Sequence, residues 1–85
     1  MDPRVRSYVA ESIMAIGQGD VPLARTCIAQ ACDIDHSLFR LADAVQLACA
    51  EFELEGGVSV SAWNTLADAV DSGELREVVE SSRTW

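Results

Sequence analysis

Apolar residues in this chain recur three and four positions apart and are cut into blocks by glycine. Val5, Tyr8, Val9, Ile13 and Ile16 keep that spacing until Gly17 and Gly19 interrupt it. Such a spacing lines residues along one face of an α-helix. Asp2-Pro3, just before them, supplies an N-cap acceptor and a proline at the first helical position. Asp20 caps a second helix, whose first turn tolerates Pro22 and whose inner face is Leu23, Ala24, Cys27, Ile28 and Ala31. A third helix is predicted from Asp35–Ser37 to Glu55, stopped by Gly56-Gly57. "VSVSAW" alternates apolar and polar residues, so a short strand is conceivable, but it reads better as an extended lead into a fourth helix. Ser59 or Ser61 would cap that helix, with Trp63, Leu66, Ala67 and Val70 facing inward. After "DSGE", a short fifth helix carries Leu75, Val78 and Val79. The expectation is one all-α domain over residues 1–85, a small bundle of about five helices.

Charge narrows the choice of partners. The 85 residues carry fourteen acids against six arginines and no lysine, for a net charge of −8. Such a surface repels nucleic acid and anionic membrane; it favours basic partners, or simply serves solubility. No run of about 18 apolar residues offers a membrane span, and Glu11 interrupts what would be a signal peptide's apolar core. A soluble, cytoplasmic protein is expected. Three cysteines without a secretory signal argue against a disulfide framework.

The stretch Tyr8 to His36 resembles a tetratricopeptide repeat. Gly19-Asp20 stands at that family's turn between two helices, Ala24 and Ala31 at its small positions, and Tyr8 at its aromatic position. "DID" before His36 resembles the usual end of the family's second helix. His36 replaces the family's proline, and Ser12 its glycine. Phe39 to Leu54 fits the first helix of a second unit, after which "GGVSVSAW" departs from the pattern. The resemblance implies a helix-turn-helix that cannot bury its apolar face alone.

The third helix is the natural cover. Leu38, Leu41, Val45, Ala48 and Phe52 form its core stripe, while Phe39, Leu47, Ala50 and Leu54 form a second, interrupted by Asp43. A helix apolar on two sides needs neighbours on both. By the resemblance, a concave groove would be lined by Arg6, Val9, Ile13 and Ile16 from the first helix and by Phe39, Asp43, Leu47, Ala50 and Leu54 from the third. The lysine and asparagine residues with which some family members clamp a peptide carboxylate are missing. Such an apolar groove suits an amphipathic helix or peptide. Alternatively, the fourth and fifth helices fold back and fill it; the favoured intermediate leaves the Val9–Ile16 side open.

Chemistry is poorly supplied. Cys32 and His36 are four apart, but Cys27 lies about 140° around the helix from Cys32 and Cys49 sits on another element, so the four ligands of a zinc site do not assemble. His36 is the only base for a cysteine nucleophile, and no oxyanion loop accompanies it. The expectation is a non-enzymatic protein without cofactor or metal: an adaptor, accessory subunit or regulator that binds another protein, with a homodimer compatible with the same face. The alternative is an acidic antagonist that imitates nucleic acid on a basic protein. Trp63 is expected in the core and Trp85 in a frayed terminus.

Overall fold

Four of the five helices begin on a side-chain cap that the sequence supplies. In the computed structural model, which describes residues 1–70 and 72–84, the helices are α1 (Pro3–Gly17), α2 (Val21–Ile34), α3 (Phe39–Glu55), α4 (Val60–Ala69) and α5 (Gly73–Arg83), with no strand among the described residues. The Asp2 carboxylate accepts the Arg4 N–H at 2.8 Å and that of Asp20 accepts the Leu23 N–H at 3.2 Å. The Ser59 hydroxyl accepts from Ala62 N–H and that of Ser72 from Leu75 N–H, each at 3.1 Å. Each bond satisfies one of the orphan donors of a first turn. Ser59, not Ser61, is therefore the cap of α4. Trp85 lies outside the described residues, as does Asp71 in the "DSGE" punctuation.

α3 is the exception, and it starts later than the sequence suggests. Asp35 Oδ1 accepts from the Ser37 N–H at 3.0 Å and from the Ser37 hydroxyl at 2.6 Å. The carboxylate thus closes a local turn instead of capping a helix. Leu38 occupies the cap position of α3 without a side-chain bond. The helix ends as expected: Gly56 is left-handed at φ 75°, and its N–H reaches the Phe52 carbonyl at 2.8 Å.

α1 and α2 pack as a hairpin on small residues. Ala24 and Ala31 are both 0% exposed, and the buried Ser12 hydroxyl donates to the Ala24 carbonyl at 2.8 Å. The position where a glycine would be expected is therefore filled by a hydroxyl that finds its own acceptor. Gly19 (φ 77°) makes the turn, and a Cβ there would sit 2.7 Å from the Phe52 ring. Leu23, expected inside, is exposed; it lies about 100° around α2 from Ala24, and Val21 is buried instead.

α3 packs on α2, α4 on α3, and α5 returns to lie along α1 while touching α4. The core is Val5, Val9, Ile13, Ile16, Ile28, Leu41, Val45, Leu66, Leu75 and Val79, with Trp63 closing one side. Leu38, Phe52, Ala67 and Val78 pack against it, half-buried. No helix among the described residues is long and apolar enough to cross a membrane.

Candidate functional site on the third helix

The two sides of the expected groove part company. Val9 and Ile13 are 0% exposed and Ile16 is 2% exposed. They are core residues, so the expectation that the Val9–Ile16 side stays open for a partner is incorrect. The cause is α5. Arg6 Nη1 meets Glu74 Oε2 at 3.3 Å near one end of the α1–α5 seam. At the other, Gly17 comes so near Ser82 that an added Cβ would lie 2.8 Å from the Ser82 carbonyl. With α2 on the opposite flank, the α1 stripe is enclosed. Arg6 lies at the α1–α5 seam, its side chain paired with Glu74 and still 41% exposed.

The α3 residues have a different fate. Phe39 is 66% exposed, Leu47 47% and Leu54 85%, with Ala50 half-buried and Asp43 exposed among them. At 100° per residue these five fall within about 80° of arc, opposite the buried Leu41, Val45 and Ala48. The row runs roughly 22 Å along the helix. Three of the large exposed apolar side chains thus share one helix face, and leaving them in water gains the fold nothing.

α3 is held firmly enough to present that row. On the α2 side, Arg25 Nη2 donates to Glu53 Oε1 at 2.7 Å and Arg25 Nε to Gln46 at 3.2 Å. The Arg25 hydrogen bond holds the Glu53 carboxyl below the usual carboxylate range. On the α4 side, the Glu51 carboxylate accepts the Ser59 N–H at 3.0 Å, which lowers its pKa in the same way. Both straps leave the carboxylates ionised beside the row.

Between α3 and α4 runs a shallow trough. One stretch, of about 350 Å³, is lined by Asp43, Ala44 and Leu47 facing Thr65 and Asp68. A second, of about 480 Å³, continues past Arg40 and Ala69 to Leu38, Phe39 and Met1. Helix α4 lends the trough a polar wall, since its apolar Ala62, Trp63 and Leu66 are spent on the core. The α4 contribution was not foreseen; the 3.6-residue period of α4 places Thr65 and Asp68 opposite Trp63, which is the signal that could have found it.

Nothing reactive lies along this face. Cys27 and Cys49 are buried and Cys32 half-buried, all as free thiols. Burial pushes all three thiols up from the ordinary cysteine range, so the thiolate form is disfavoured. Among the described residues, no three of His, Cys, Asp and Glu gather as metal ligands. No protein-family model, curated protein or solved structure matches the chain.

Proposed function

We propose that this protein is a small non-catalytic interaction module that receives a helix or extended peptide of another protein along the outer face of α3. The observation that carries the reading is the row Phe39, Leu47 and Leu54, exposed on a helix whose other apolar stripe is already buried. A helical segment laid in the α3–α4 trough would dry those side chains and keep their polar flanks wet. Burial of all three thiols supports a role in binding over nucleophilic or redox chemistry. The α1–α2 hairpin, with its small-residue crossing, is read as a single tetratricopeptide-like unit whose concave side is occupied by α5 of the same chain. An adaptor, accessory subunit or regulator in the cytoplasm fits such a design.

Leu47→Asp tests the reading. The variant should melt like the parent, because Leu47 is surface, and should fail to retain proteins that the parent captures from a native lysate. Equal capture by parent and variant, with equal melting, would move the interaction face elsewhere.

A further inference from the structure

Resting on the proposed helix-binding role of α3, we infer that the occupant of the α3–α4 trough is a cationic amphipathic helix. The argument begins with Asp43. It lies in the middle of the apolar row and lines the trough opposite Asp68. Any helix that covers Phe39, Leu47 and Leu54 must also cover this carboxylate, and the stretch that Asp43 shares with Asp68 holds Arg40 as its one cation, so covering it desolvates an excess of negative charge. An apolar occupant fails on that ground. One that brings lysine or arginine to this level succeeds.

The far end of the row points the same way. The last turns of α3 carry Glu51, Glu53 and Glu55 and no basic residue. They sit at the end of the helix where the macrodipole already favours cations. Glu53 is answered by Arg25, whereas Glu51 meets only a backbone N–H. Leu54, the most exposed apolar side chain of the row, emerges between Glu53 and Glu55. Arg40 and Met1, with its N-terminal amino group, line the trough at the opposite end.

A second copy of the chain fits less well. The row is nearly symmetric about Leu47, so two α3 helices could pair antiparallel, with Phe39 against Leu54 of the other copy. That register brings Asp43 nearly level with Glu51 of the other copy, twice per dimer, with a single Arg40 about 3–5 Å along the axis from each such pair, so two carboxylates share one guanidinium. Two bodies of net charge −8 would also have to meet. A cationic helix removes both conflicts. About four turns, with apolar residues on one face and lysine or arginine on its flanks, match the length of the row.

The test uses a fluorescent 18-residue peptide with leucine along one helical face and lysine elsewhere, and a counterpart with glutamate for every lysine. Binding is read by anisotropy on the full chain. The parent should bind the lysine peptide and bind the glutamate peptide at least tenfold more weakly. Asp43→Lys with Asp68→Lys should weaken lysine-peptide binding at least tenfold. Asp33→Lys with Glu77→Lys, an equal charge change on α2 and α5, should leave it within twofold. Leu47→Asp should also abolish binding, although it adds negative charge and would strengthen a purely electrostatic capture. Equal loss in the two double variants overturns the inference, since net charge alone would then explain attraction. Equal binding of both peptides, lost in Leu47→Asp, overturns it too but leaves the helix-binding role standing. A parent that sediments as a dimer dissociated by Leu47→Asp assigns the trough to a second copy. A monomeric parent that binds neither peptide removes both readings.

Discussion

α1 and α3 each carry an apolar row, and the chain treats the two in opposite ways. Val9, Ile13 and Ile16 are sealed beneath the returning α5, while Phe39, Leu47 and Leu54 stay in water. The apolar residues of the two rows are of similar kinds, although Asp43 interrupts the α3 row, and an isoleucine exposes no less apolar surface than a leucine. What distinguishes them is which row the C-terminal segment reaches. Leu75 and Val79 of α5 are buried, and the Arg6–Glu74 pair and the close approach of Gly17 to Ser82 mark the seam where α5 meets α1. α4 has only one apolar face, which it spends between α3 and the core. One row therefore serves stability and the other stays exposed.

The sharpest way to break this comparison is to place the same charge in each row. Ile13→Asp buries an unpaired carboxylate and should cost several kcal/mol, on the order of the whole stability of so small a domain. Leu47→Asp should change stability by no more than about 0.5 kcal/mol. Urea melts of the two variants measure the difference, and similar losses would mean that α3's outer face is covered in solution. The second test addresses the seam that makes α1 core. Gly17→Ala gains helix propensity, but its Cβ must displace the Ser82 backbone, so a net loss of about 1–2 kcal/mol is expected. A stabilised variant would show that α5 does not press on α1 there. Thirdly, Ser59→Ala removes the cap of α4 and should cost about 1 kcal/mol by chemical denaturation. It should also weaken binding along the trough, whose wall α4 supplies; unchanged binding would confine recognition to α3 alone.

The smallest effect is that of pH. Hydrogen bonds hold Asp35, Glu51 and Glu53 on the α2–α3–α4 side, and Asp2 on α1, below the ordinary carboxylate range. A depressed carboxyl contributes stability above its unfolded value, near pH 4, and loses it as the pH falls through the lower folded value. Melting temperature should therefore hold steady from about pH 5 to 8 and decline below about pH 4. Amide exchange should quicken first around α3. Faster exchange in α1 than in α3 under acid would reverse the ranking of the two regions.

Much of this architecture is legible in the sequence because its punctuation is chemical. Asp2, Asp20, Ser59 and Ser72 each accept a first-turn N–H, and Gly56 takes the left-handed exit that other residues resist. Local hydrogen-bond competition misleads the reading once, at Asp35, where Ser37 outbids the helix start. The larger miss concerns Val9, Ile13 and Ile16. Carrying positions over from a stacked repeat assumes that the next unit stacks in register. Here α5 lies along α1, and periodicity cannot state which of two apolar faces it will choose. The exposed half of the site, Phe39, Asp43, Leu47 and Leu54, is legible because a second stripe on an already amphipathic helix is visible in the spacing alone.

The α1–α5 seam also sets the order in which the nascent chain can protect itself. Arg6 and Glu74 are 68 positions apart, so the α1 row has no complete cover when the hairpin first leaves the ribosome. At synthesis rates of about 5–20 residues per second, the interval between Ile16 and Val79 lasts roughly 3–12 s. During that interval the first helix bares the kind of surface that the third keeps permanently. A pause or truncation before α5 would leave a chain with two exposed apolar rows in place of one, and such a fragment should depend on chaperones more than the full chain does.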